Sequence, residues 1–125
     1  MEDFVPFKLA KKLKEKGFNK RVRGYYWEIR GLSTCNTPIN SNALENEFSA
    51  PTISQVLKWL REEKGYHIEF IGNACGYLFI VSDIPSKGGT DRHCSDYDGP
   101  NDGGCWDSYE EAAIAGIEYV LDNLI

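Results

Sequence analysis

His93, Cys94 and Cys105 are the residue types in this chain best suited to chemistry. Imidazole and thiolate both bind zinc, and one loop carries all three, with Cys35 or Cys75 free to supply a fourth ligand. The spacing argues against a metal. Neighbouring side chains point apart, and structural zinc sites pair their ligands a few residues apart. No Cys-x-x-Cys pair is present, which removes the zinc-ribbon and thioredoxin-like readings. The thiols could also serve as nucleophiles, with Cys94 or Cys105 beside His67, or Cys75 beside His93. Neither histidine lies in a nucleophile motif, and a surface pairing with Glu69 accounts for His67. Asp91, Asp96, Asp98, Asp102 and Asp107 offer oxygens to Ca²⁺. The EF-hand register fails, because counting from Asp98 puts Pro100 at the third position and Tyr109 at the twelfth. The expectation is no catalytic residue, no metal and no cofactor.

Two surfaces suit binding better. Lys8, Lys11, Lys12, Lys14, Lys16, Lys20, Arg21, Arg23 and Arg30 form a basic end beside Tyr25, Tyr26 and Trp27. Phosphate neutralisation with ring stacking is how single strands are held. A nucleic-acid site would rest on Lys11, Lys12, Lys14, Arg21, Arg23 and Tyr26. Against it, the pI is about 5.0, and an amphipathic helix places lysines on its wet face as a matter of course. The other surface is a sheet face carrying Tyr26, Glu28, His67 and Glu69 with Ile71, Leu78 and Ile80. It mixes aromatic, charged and apolar groups as a docking face does.

The elements that must position these residues follow from pattern. A helix is expected from about Val5, with Pro6 in its first turn, where a missing N–H costs nothing. Val5, Leu9 and Leu13 make its apolar stripe, Gly17 its left-handed stop, and Phe18 folds back on Leu13. A strand is expected over residues 21–30, with Tyr25, Trp27 and Ile29 as the core face. Residues 31–50 read as a long polar loop that is either functional or packs through Ile39, Leu44 and Phe48. Thr52 and Gln55 form a capping box ahead of a helix with Ile53, Val56, Leu57 and Leu60 on one face, ending at Gly65. Residues 66–71 alternate, with Tyr66, Ile68 and Phe70 opposite His67, Glu69 and Ile71. A glycine-flanked link, 72–76, leads to a central strand with Tyr77, Phe79 and Val81 on one face. Residues 85–106 read as a second long loop. Ser108 and Glu111 cap a last helix whose small residues Ala112, Ala115 and Gly116 allow close approach to a sheet. The expected fold class is α+β: a small, mainly antiparallel three-stranded sheet with three helices in the order αβαββα, as one domain over residues 1–125.

Composition bounds the classes. The chain has 125 residues, 42% of them hydrophobic and 13% aromatic, enough ring surface to exclude a disordered chain. No apolar run approaches the roughly 20 residues that span a bilayer, and the opening residues lack the apolar stretch of a signal peptide. The expected location is the cytoplasm, with thiols reduced; Cys94 and Cys105 would be the pair to bridge if any did. The net charge of −5 is unevenly spread, since residues 1–30 carry nine Lys/Arg against four Asp/Glu and residues 31–125 carry five against fifteen.

The segment ENEFSAPTISQVLKWLREEKGYHIEF and the closing GCWDSYEEAAIAGIEYVLDNLI resemble a group of small proteins of unassigned role. That group is encoded by gut Bacteroidetes and by their phages and mobile elements. Its marks are an APT start before a K-W-L-R-E helix, an H-I-x strand, and an aromatic-D-S/T-Y-E-E-A-x-x-A-G helix. The match runs from the second helix to the end, together with the KLAKKLKEKGF opening. The resemblance supplies no catalytic or binding residue. It implies a cytoplasmic bacterial or phage accessory protein.

Taken together, the sequence points to a non-enzymatic accessory or protein-interaction module. Its partner is another protein or a second copy of the chain. Nucleic-acid binding through the basic end is the alternative, and no membrane partner is expected.

Overall fold

The computed structural model describes residues 3–27, 31–84, 89–95 and 98–125. The chain gathers into two compact units, Met1–Gln55 and Val56–Ile125. Each holds a three-stranded antiparallel sheet. The α+β class and the antiparallel pairing are those expected, with six strands in two sheets where the pattern gave three strands in one.

In the first unit α1 (Phe7–Glu15) begins after Pro6, and Leu9, Ala10 and Leu13 are buried. Its end is a complete Schellman stop. Gly17 takes φ +87°, its N–H donates to the Lys14 carbonyl, and the Phe18 N–H donates to the Leu13 carbonyl at 3.0 Å. Phe18 is buried, as its place after the glycine predicted. Three strands follow: β1 (Val22–Trp27), β2 (Leu32–Ile39) and β3 (Glu47–Ala50). They lie in the order β2-β1-β3, so β1 is central. A short 3₁₀ turn, Ser41–Ala43, separates β2 from β3.

Two expectations for this unit are corrected. Residues 31–50 are not a loop, because β2 and β3 flank β1 there. Ile39 and Leu44 are exposed, and only Phe48 packs inward, edge-on to Phe7 at 5.3 Å. Over the described residues the core face of β1 is also the opposite one, Ile29 lying outside them. Val22 and Gly24 are buried, Tyr26 is half-buried, and Trp27 is 45% exposed. The cause is Gly24. Residues 3–5 pair antiparallel with residues 51–53, bonded through Val5 N–H to the Pro51 carbonyl and through Ile53 N–H to the Asp3 carbonyl, and the Phe4 ring lies against Gly24. A Cβ at Gly24 would meet the Phe4 ring and the Ala50 carbonyl. A missing side chain thus selects the buried face, although the larger rings stand on the other one.

The second helix, α2 (Ile53–Trp59), opens with the predicted capping box. Thr52 N–H donates to Gln55 Oε1 at 2.8 Å, and Gln55 N–H donates to Thr52 Oγ1 at 3.3 Å. A π-helical turn, Leu60–Lys64, carries it to Gly65, which is left-handed at φ +77°.

In the second unit β4 (Tyr66–Asn73) and β5 (Gly76–Asp83) form a hairpin over a two-residue turn, tighter than the five-residue link expected. β6 (Asp91–Cys94) pairs with the far edge of β5 and makes it central. That strand lies inside the segment expected to be a loop. α3 (Tyr109–Asn123) is capped by Ser108, whose Oγ accepts from the Glu111 N–H at 3.1 Å. It packs on β4 and β5 through Ala113, Ile117 and Val120. Gly116 sits directly over Ile68 and Phe79, where a Cβ would stand 3.2 Å from both. Gly116, one of the three small residues expected to allow close approach, is therefore what brings helix and sheet together, while Ala115 lies on the outward stripe of the helix.

Candidate functional site

Among the described residues of the second unit, Cys105 and His93 are held by separate neighbours. Cys105 is buried, and its thiol points to the Asn73 side-chain oxygen at 3.7 Å and the Gly103 carbonyl at 3.9 Å. Cys75 is exposed in the β4–β5 turn, and Cys35 lies on β2 in the other unit. No disulfide joins any of the four cysteines. His93 is held by neighbours of a different kind. It stacks on Tyr119 with ring centroids 3.9 Å apart and planes within 11°, and its Nε2 meets Asp98 Oδ2. Asp91 and Asp98 are exposed and Asp96 lies outside the described residues. Among the described residues, no group of three or more His, Cys, Asp or Glu is arranged to hold a metal ion.

The nucleic-acid candidates split. Lys11, Arg21 and Arg23 are exposed, and Lys12 is half-buried. Lys14 is engaged by its own unit: Nζ donates to the Leu44 and Glu47 carbonyls at 2.8 Å, and to that of Glu45, while lying 4.8 Å over the Phe48 ring. Tyr26 is engaged as well. Its hydroxyl donates to the Val5 carbonyl at 2.8 Å and its ring meets Phe7 edge-on at 5.4 Å. Burial raises the Tyr26 phenol above its ordinary value.

The mixed sheet face expected to dock a partner is divided between sheets. Tyr26 belongs to β1, while His67 and Glu69 belong to β4, and Glu28 lies outside the described residues. The remainder holds together. His67 opposes Ser82 and Glu69 opposes Ile80, on the side of the β4–β5 sheet away from α3.

The site that sequence reasoning missed is on β2. Tyr26 lies directly between Leu32 and Phe48 across the sheet, and Val22 opposes Ile39. α1 packs over the β3 side of this face. Leu32 and Ile39, on the β2 side, stay 43% and 38% exposed. Between them the ladder slips from Val22↔Ile39 to Gly24↔Thr34, so residues 35–38 bulge outward. Phe4 and Pro38 line a cleft of about 230 Å³ beside this bulge, with Arg23, Thr52 and Gln55. The bulge and Pro38, which lacks an N–H, spoil this edge for strand addition. What it offers is side chains: two exposed aliphatic groups, one at each end of β2, and next to Ile39 the cleft that Phe4 and Pro38 line. Pro38 was the one signal in the sequence, since proline in a strand marks an edge or a bulge.

The protein is thus an α+β protein whose first unit carries, among the described residues, two exposed aliphatic side chains on β2 and a cleft beside it. The chain matches no protein-family model, no curated protein and no solved structure. Among the described residues, no helix is long and apolar enough to cross a membrane.

Proposed function

We propose that the protein is a non-enzymatic, cytoplasmic accessory module of a bacterial or phage system, and that it docks another protein, or a second copy of itself, through the β2 side of its first sheet. The carrying observation is the exposure of Leu32 and Ile39 on the face that α1 covers only in part. Aliphatic groups left exposed on a strand face give a partner a place for an apolar anchor, which is where docking energy concentrates. The resemblance to the Bacteroidetes and phage group supports the cellular setting. The test is sedimentation equilibrium of the wild type against Leu32→Lys/Ile39→Lys, with capture on the immobilised chain. Association or capture that the double variant loses, with its circular dichroism unchanged, is expected. A strict monomer that captures nothing sensitive to the substitutions sinks the reading.

A second reading has its own observation. Arg23, Tyr25 and Trp27 alternate onto the β1 face opposite Tyr26, a basic residue and two rings in one row. Stacking platforms for single-stranded nucleic acid are built this way. A gel shift that weakens steeply with salt and is lost in Arg23→Glu/Trp27→Ala is the expected result under that reading. No shift at low salt removes it.

A further inference from the structure

The outer face of α3 carries a groove that the β2 surface does not involve. Glu111, Ala115, Glu118 and Asp122 recur at i, i+4, i+7 and i+11, one stripe of the helix. Over this stripe stands Trp106. Two clefts open on either side of it and share Trp106, Ala115 and Glu118 as walls. One, of about 240 Å³, continues to Tyr119, Asp98 and Asp122. The other, of about 300 Å³, continues to Ile114 and Glu111. The small side chain of Ala115 keeps the floor of both open.

The walls are held from behind. Trp106 stacks on Phe79, with centroids 5.6 Å apart and planes at 30°, and Phe79 is 1% exposed. Tyr119 stacks on His93, which is itself paired to Asp98. Rings fixed in this way bind without first losing rotamer freedom. The lining is also of one sign. Among the described residues, no lysine or arginine lines either cleft. The unit as a whole carries thirteen Asp/Glu against five Lys/Arg.

Aromatic faces and carboxylates attract the same kind of group, a cation with an apolar stem. We infer that the α3 groove is a binding site for the lysine or arginine side chains of a basic peptide segment. The stem lies along Trp106 and Ala115, and the ammonium or guanidinium sits among Glu118, Asp122 and the Tyr119 ring. Two linked clefts suit two cationic side chains of one segment.

The test is a titration of the ¹⁵N-labelled full chain with an Arg/Lys hexapeptide, with spermidine, and with a Glu hexapeptide. The indole N–H signal of Trp106 is the reporter, and those of Trp27 and Trp59 are internal controls. The expected result is a saturable shift of Trp106 with the basic peptide, weaker at higher salt, and little with the other two probes. Glu118→Gln/Asp122→Asn should weaken it about tenfold. Ala115→Met, which fills the floor without changing charge and suits a helix, should abolish it while the spectrum stays folded. Shifts spread over the whole acidic surface, an equal response to spermidine, or retention of binding in Ala115→Met overturns the proposal.

Discussion

Tyr26 shows how a single side chain can be misjudged from its type. An aromatic next to arginines suits stacking, yet its hydroxyl is committed to the Val5 carbonyl and its ring to Phe7. Tyr26→Phe should cost about 1 kcal/mol, the worth of one partly buried hydrogen bond, read as a lower denaturation midpoint at neutral pH. The raised phenol also sets a pH dependence. A group that holds its proton more tightly when folded adds stability in full below its unfolded value, 10.0 for tyrosine. That stability fades as pH climbs through the folded value. Tyr109 is raised in the same direction by burial, and then by Glu110. The wild type should therefore lose stability above about pH 10, and Tyr26→Phe should lose less of it over that range; equal losses would remove Tyr26 from the account. Lys14 carries a parallel lesson. A lysine on the wet face of a helix reads as a solvent charge, but this one gathers three carbonyls of the 44–47 turn. Its partners lie thirty residues and more away in the chain, so no local pattern could announce them.

At the scale of elements, local signals were reliable wherever the physics was local. The Thr52–Gln55 capping box forms in full, Ser108 caps the Glu111 N–H while the Glu111 carboxylate accepts from the Ser108 hydroxyl instead of its backbone N–H, and Gly17 and Gly65 end their helices in the left-handed conformation. A cap satisfies donors within one turn of itself, so four residues of sequence suffice to specify it. Ser108→Ala should accordingly destabilise the second unit by about 1 kcal/mol. Thermal unfolding followed by circular dichroism would show it, and Ser108→Asp, which can still cap, should recover most of the loss. The elements that escaped were β2, β3 and β6. Each is short or broken by polar residues, and each is made by backbone bonds to a neighbour rather than by an alternating apolar face. β5 could be recognised as central because both its faces are apolar. β6, which makes it so, reads only Asp-Arg-His-Cys.

For the whole molecule, the charge asymmetry of the sequence falls along the division into units. Met1–Gln55 carries nine Lys/Arg against six Asp/Glu, and Val56–Ile125 carries five against thirteen. The proposed contacts therefore differ in how they respond to salt. Docking on Leu32 and Ile39 buries apolar surface and should persist as ionic strength rises. Nucleic-acid binding by the first unit and peptide binding by the second should both fade. Salt dependence measured on one protein sample would thus separate the β2 contact from the other two, and Arg23→Glu and Ala115→Met then separate those from each other.

By itself the sequence determined the α+β class, the three helices with the starts of the last two and the stops of the first two, the β4–β5 face pattern, and the close fit of α3 at Gly116. All of these depend on residues within a turn or a strand of one another, or on side-chain size at one position. Only the tertiary structure decided which face of β1 is buried, that the polar segments 31–50 and 85–106 contribute strands, and that Tyr26 is spent inside the fold. It alone produced the β2 strip and the α3 groove. Those outcomes depend on which distant segment packs on which strand, as Phe4 does at Gly24. Such long-range pairing is chosen by the packing of the whole chain and leaves no period in the sequence around it.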